Sequence, residues 1–142
     1  MADPSPSSHH QQAMRCAVVT PEATVLDETV DFVAVPLYDG ELGIAPKHSP
    51  LIGRLGYGEL RVRAAGRTRS YYVDGGFVQV VGNAITILTN RAVAAEELDA
   101  EVAEEQLRAA RSRPAHTPEL MAIRDRLVAQ ARAQKRVAAR RP

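Results

Sequence analysis

Tryptophan is absent, cysteine occurs once, and two phenylalanines and four tyrosines are the only aromatic residues. A core built from this chain must therefore rest on Val, Ile, Leu and Ala, which dominate its 45% hydrophobic content. The lone Cys16 excludes an internal disulfide framework and leaves nothing for a cysteine-based zinc site. It lies in an apolar run and reads as a small buried hydrophobe. No stretch approaches the ~20 apolar residues that a membrane-spanning helix needs. The N-terminus also lacks the basic-then-apolar order of a secretory signal. A soluble, intracellular protein is expected. The net charge of +1 argues against coating nucleic acid by bulk charge. Phosphate-cradle and HExxH zinc motifs are missing as well.

What is present divides into unequal parts. The 142 residues suit one domain with an appendage. Residues 1–13, MADPSPSSHHQQA, are polar and rich in Pro and Ser, and are expected to be a disordered extension. Their adjacent His9 and His10 suit a solvated tail better than a metal site, and Met14 is a possible alternative start.

Residues 14–93 show strand periodicity. RCAVVT, ATVLDE and TVDFVAVP are short runs of strand-forming residues between turns. In LRVRA, Leu60, Val62 and Ala64 face one side and Arg61 and Arg63 the other. RSYYV follows after a turn at Gly66, and FVQVV and AITIL flank Gly82-Asn83, a pair suited to a tight hairpin. No βαβ alternation occurs. The pattern predicts an antiparallel β-sandwich or barrel.

Over residues 94–142 the period becomes helical. Leu98, Val102 and Leu107 form one stripe, ending by Pro114. Thr117-Pro118-Glu119 supplies a hydroxyl cap, a first-turn proline and an early carboxylate for a second helix. Its stripe runs through Leu120, Ile123, Leu127, Ala131 and Val137 or Ala138. The short connection predicts an antiparallel helical hairpin, and the whole chain an α+β fold. Glu96, Glu97, Asp99, Glu101, Glu104 and Glu105 crowd the first helix. Arg124, Arg126, Arg132, Lys135, Arg136, Arg140 and Arg141 dominate the second. Two readings fit this asymmetry: solvated faces attracting each other mildly, or a marginal hairpin whose basic helix can leave for an acidic partner.

Catalysis finds little support. His48 and His116 are the only histidines outside the tail. Ser49 adjoins His48, but no nucleophile elbow surrounds it. Asp74-Gly75-Gly76 lies between strands and reads as a turn or bulge. The stretch DGELGIAPKHSPLIGRLGYGEL, residues 39–60, is left as surface, a stiff loop presenting Leu42, Ile44 and Leu51 beside Asp39 and Glu41. An apolar contact patch with a charged rim and a simple cover for the core both fit.

DGELGIAPKHSPLIGRLGYGELRV, YYVDGGFVQV, and ITILTNRA leading into EELDAEVAEEQL together resemble the epsilon subunits of F-type ATP synthases, called delta in mitochondria. The resemblance covers roughly residues 14–142. It implies a β-sandwich of about ten strands followed by a helical hairpin, and a non-catalytic rotor subunit coupling ion translocation, of protons or sodium, to ATP synthesis. The implied partners are the gamma subunit, the ring of c subunits and, when the hairpin extends to inhibit ATP hydrolysis, the alpha and beta subunits. Nucleic acid is not among them. The implied location is the cytoplasmic side of a bacterial plasma membrane, peripheral through the complex. By the same resemblance Glu41, Leu42, Gly43 and Ile44 meet the c ring, and His48, Ser49, Pro50 and Leu51 face gamma. Arg124, Arg126, Arg132, Lys135 and Arg136 belong to the inhibitory helix. Two positions depart from the pattern. Val102 replaces the arginine of the Ile/Leu-Asp-x-x-Arg-Ala motif by which some relatives bind ATP, so no cofactor is expected. Lys47 stands where relatives usually have Gly in a Pro-Gly-His triplet. Two rival readings are a stand-alone β-sandwich that binds a ligand and, more weakly, an enzyme centred on His48 and Ser49.

Overall fold

The computed structural model describes residues 13–140. The expected disordered extension, apart from Ala13, lies outside the described residues, as does Arg141. Eight strands come first: β1 (Met14–Val19), β2 (Thr24–Val30), β3 (Phe32–Leu37), β4 (Gly40–Ile44), β5 (Leu51–Ala64), β6 (Arg67–Val81), β7 (Ala84–Leu88) and β8 (Ala92–Ala94). A 3-10 turn (Ala95–Glu97) leads into helices α1 (Ala100–Arg111) and α2 (Pro118–Arg140). The strands form one sheet in the order β2-β1-β7-β6-β5-β3-β4, with β8 paired to β6 beside β7. The sheet folds over on itself, so that alternate residues of β1 to β7 meet in one core: Cys16, Val18, Val33, Val35, Ile44, Leu60, Val62, Val78, Val80, Ile85 and Ile87 among them. This is an α+β fold, a β-sandwich followed by two helices.

Three strand expectations need correction. The sheet is antiparallel except that β1 runs parallel to β7. That pairing gives β1 a hydrogen-bonded neighbour on both edges, β2 on the other side, which leaves fewer buried backbone groups unsatisfied. The described strands number eight rather than about ten, because β5 and β6 are 14 and 15 residues long and bend instead of breaking. The stretch expected as a stiff loop is mostly sheet: β4, a connection over residues 45–50, and the first half of β5.

The hairpins follow from turn chemistry. Ala65 and Gly66, both with positive φ, join β5 to β6 between paired Ala64 and Arg67. Gly82 and Asn83 join β6 to β7 between paired Val81 and Ala84, as the sequence predicts. The bend in β6 lies at Gly75-Gly76. Gly76 has φ +107°, and a Cβ there would lie 1.9 Å from the Leu88 carbonyl oxygen. Only glycine lets the two backbones approach so closely.

The helices start later than the hydrophobic pattern indicates. Leu98 is buried but precedes α1. Asp99 caps that helix, its carboxylate accepting from the amides of Glu101 (2.9 Å) and Val102 (3.3 Å). Val102, expected on the apolar stripe, is 51% exposed. The buried seam of α1 is instead Ala103, Leu107 and Ala110. Thr117 does cap α2, accepting from the Leu120 amide at 3.1 Å. The expected stripe of α2 splits in two. Leu120, Ile123 and Leu127 are half-buried, whereas Ala133, Val137 and Ala138 pack with Tyr72, Ala95 and Leu98 in a second, smaller core.

Candidate functional site

The outer face of β5 to β7 holds the first surface of interest. Ile52 (76% exposed), Phe77 (55%), Val81 (54%) and Leu88 (51%) all point to solvent there. Arg54 lies among them, paired in register with Phe77, which in turn pairs with Leu88. A groove of about 730 Å³ runs along this face between Val19, Arg54, Phe77 and Leu88. A run of large apolar side chains on one sheet face, with a cation beside it, suits protein contact better than solvent.

The segment His48-Ser49-Pro50-Leu51 leads directly into this face. Ser49 and Pro50 are exposed, His48 is half-buried, and Leu51 is half-buried against the main core. The segment is held from below. The Lys47 amide donates to Asn83 Oδ1 at 3.1 Å, and the His48 amide to the Ala45 carbonyl at 3.2 Å. Lys47 itself takes φ +67°, a left-handed conformation normally left to glycine. His48 Nδ1 is 2.7 Å from the backbone oxygen of Ser49. That contact gives backbone the ring nitrogen that a nucleophilic triad would direct at a carboxylate. Among the described residues no group of three His, Cys, Asp or Glu side chains could hold a metal.

The second surface is the β4 edge. Glu41 is exposed and accepts from Arg61 Nη2 at 2.6 Å. Leu42 is half-buried against the main core, and Gly43 is exposed over the Phe32 ring. Ile44 was expected at a contact surface. It is fully buried in the main core, because its side chain falls on the inward side of β4. The structure thus gathers Glu41, Leu42 and Gly43 at one edge and removes Ile44 from it.

The third element is the docked hairpin. Tyr72, fully buried on β6, donates its hydroxyl to Asp74 Oδ1 at 3.0 Å, and Gln130 Nε2 from α2 donates to the same oxygen at 2.9 Å. Burial first, and the neighbouring Asp74 second, hold the Tyr72 phenol well above its ordinary range. The basic residues of α2 divide by partner. Lys135 pairs with Glu104 of α1, a contact that lowers the Glu104 pKa. Arg124 reaches Asp125 at 3.3 Å, and Arg140 Nη1 donates to Glu59 Oε1 at 2.8 Å. Arg126, Arg132 and Arg136 are exposed. Sequence reasoning missed Glu59, Asp74 and Gln130. Asp74 sits in the DGG motif, and its position beside a tyrosine two residues away was the one available signal.

Residues 13–95 match the family described as the beta-sandwich domain of the ATP synthase delta/epsilon chain. An ATP synthase epsilon chain from Rhodopirellula baltica is 47% identical over 124 residues, 87% of this chain and 97% of that one. One from Carboxydothermus hydrogenoformans is 45% identical over 100 residues, covering 70% and 75%. Among solved structures, a chain of the Euglena gracilis mitochondrial ATP synthase, in an OSCP/F1/c-ring assembly, superposes with a TM-score of 0.81. It is 22% identical, over 88% of this chain and 81% of that one.

Proposed function

Since the chain belongs to the ATP synthase delta/epsilon family, we propose that it is a non-catalytic rotor subunit of an F-type ATP synthase. In this reading it links gamma to the c ring and so couples ion translocation to ATP synthesis. It sits on the membrane only through the complex, at the cytoplasmic side of a bacterial plasma membrane. Among the described residues no helix is long and apolar enough to cross a bilayer.

The exposed strip of Ile52, Phe77, Val81 and Leu88 carries the reading. It adjoins the anchored segment His48–Leu51, and together they offer gamma an apolar surface that needs little ordering on assembly. Glu41, with Leu42 and Gly43, is the ring-facing edge, where a carboxylate suits basic groups on the ring loops. The hairpin is the brake on hydrolysis. Extended, it would carry Arg124, Arg126, Arg132, Lys135 and Arg136 into the catalytic head of alpha and beta subunits, toward acidic segments of beta. Val102 presents an isopropyl group where the nucleotide motif has a guanidinium, so the hairpin is not assigned an ATP site.

Reconstitution tests this reading. Added to an enzyme depleted of its own epsilon, the full chain should restore coupled proton pumping, and Glu41→Lys should restore it poorly. Deleting residues 94–142 should leave assembly intact and raise membrane ATPase activity. Failure to join the depleted enzyme would overturn the rotor role. Unchanged hydrolysis after the deletion would remove the brake alone.

A further inference from the structure

Four charged side chains form a line from the β4 edge to the last described turn of α2. Arg61 Nη2 holds Glu41 at 2.6 Å, and Arg140 Nη1 holds Glu59 Oε1 at 2.8 Å. Between the two pairs, Arg61 Nε lies 4.0 Å from that same Glu59 oxygen, too far for a hydrogen bond. This Nε is buried and has no hydrogen-bond partner. The Glu59 side chain is only 10% exposed. One nearly buried carboxylate oxygen is thus approached by two guanidinium groups, and only one of them is bonded to it.

The consequence follows from two carboxylates sharing one guanidinium once Arg140 has left. When α2 lifts, Glu59 loses the Arg140 donor together with the cover that α2 gave it, and the Arg61 guanidinium, 4.0 Å away, is the cation left beside it. Arg61 Nε is the nearest donor and is itself unsatisfied. The guanidinium is a rigid planar fork, so closing Nε onto Glu59 swings Nη2 away from Glu41. Docking of α2 runs the sequence backwards. We infer that the Glu41–Arg61–Glu59–Arg140 chain is an electrostatic switch, in which lifting of the hairpin releases the Glu41 carboxylate for a cationic partner. By linkage the reverse holds equally: a cation that takes Glu41 frees Arg61 for Glu59 and weakens the hold on Arg140. In the assembly this rests on the reading of Glu41 as the ring-facing residue. The ring contact and the hairpin position would then sense each other.

The test runs on the isolated full chain and does not need the complex. Ala133, buried against Tyr72 when α2 is docked, is replaced in the background variant Ala133→Cys. The rate of maleimide labelling then reports lifting of the hairpin. Native Cys16, buried in the sandwich core, reports loss of the fold. In this background Glu41→Gln should speed labelling roughly two- to fivefold, the range of a partly exposed ion pair. The effect should shrink with added salt. It should vanish when Arg61→Leu, Glu59→Gln or Arg140→Ala is already present, and Arg61→Gln replaces Arg61→Leu should Cys16 become reactive. No effect of Glu41→Gln in the Ala133→Cys background overturns the switch. So does an effect that persists without Arg61, which would be direct attraction between Glu41 and the basic end of α2. The ring role of Glu41 stands or falls separately, on proton pumping by the reconstituted Glu41→Lys variant.

Discussion

Replacing Val137 with alanine should loosen the hairpin without weakening the helix that carries it. Val137 is 2% exposed and is the one branched side chain that α2 contributes to the small core beneath it; its companions there from α2 are Ala133 and Ala138. The substitution removes two methyl groups, about 1.6 kcal/mol of transfer free energy at ~0.8 each, and the residual cavity brings the loss to about 2 kcal/mol. Alanine is the better helix former by a few tenths of a kcal/mol, so α2 itself is not compromised. A loss of about 2 kcal/mol raises the lifted population roughly 20- to 30-fold, since about 1.4 kcal/mol is tenfold. Tryptic cleavage at the exposed Arg132 and Arg136 measures this, because cleavage follows the open population when reclosing is faster than cutting. The denaturation midpoint of the sandwich should stay put. In the reconstituted enzyme the same variant should inhibit ATP hydrolysis more strongly, the opposite of deleting the hairpin. A cleavage rate unchanged by the substitution would refute the argument. A sandwich midpoint lowered by the full 2 kcal/mol would refute it too, since Val137 would then belong to the global core.

Three further substitutions probe backbone and burial. Gly76→Ala should cost more than about 3 kcal/mol, because its Cβ would fall 1.9 Å from the Leu88 carbonyl oxygen in a chain already at φ +107°; thermal denaturation reads the loss. Lys47→Gly relieves a left-handed residue at φ +67°, worth about 1 kcal/mol or slightly more. The greater freedom of glycine in the unfolded chain offsets part of that, leaving about 0.5 kcal/mol of stabilisation, or roughly 2–4 °C in melting temperature. The docked hairpin should weaken in alkali. The Tyr72 pKa is raised in the folded chain by burial first and Asp74 second. The part of that burial supplied by α2 makes docking favour the neutral phenol, a contribution complete below the ordinary phenol value of 10.0 and lost as pH rises above it. Near-ultraviolet circular dichroism of the tyrosines across that window should show lifting in the native chain, and Tyr72→Phe should remove that dependence.

Much of the sandwich was legible because alternation survives wherever one strand face is buried and the other wet. Leu60 and Val62 fall on the core side and Arg61 and Arg63 on the outer side for that reason. The Gly82-Asn83 hairpin was legible from turn chemistry alone. The parallel β1–β7 pair was not, since pairing partners far apart in the chain leave no local signature. Ile44 was misread because glycines and prolines around it mimic a loop, while its burial depends on β4 lying against β3. Val102 was misread because its spacing from Leu98 and Leu107 is helical only if Leu98 lies in the helix, and the Asp99 cap puts it outside. Glu59, Asp74 and Gln130 carry the docked hairpin through contacts spanning 56 to 81 residues of chain, a separation that no local pattern encodes.

The composition of the hairpin interface argues for its purpose. Among the described residues the sandwich core is closed by sixteen buried apolar side chains, nearly all of them Val, Ile or Leu. The contacts of α2 with the sandwich include one valine, two alanines, glutamines reaching Asp74 and Tyr72, and an arginine reaching Glu59. Alanine buries little, net hydrogen bonds contribute about 1 kcal/mol each, and a partly exposed ion pair less. Such a contact holds a helix down in isolation yet yields to a rival surface. Inverting a 1:99 population needs about 5.5 kcal/mol of differential binding, within reach of an acidic groove that pairs Arg126, Arg132 and Arg136, all exposed in the docked state. A leucine-rich seam in the same place would bind α2 permanently and leave those arginines no occasion to act. On the proposed reading of the hairpin as a brake, the thinness of the seam is what would let it move.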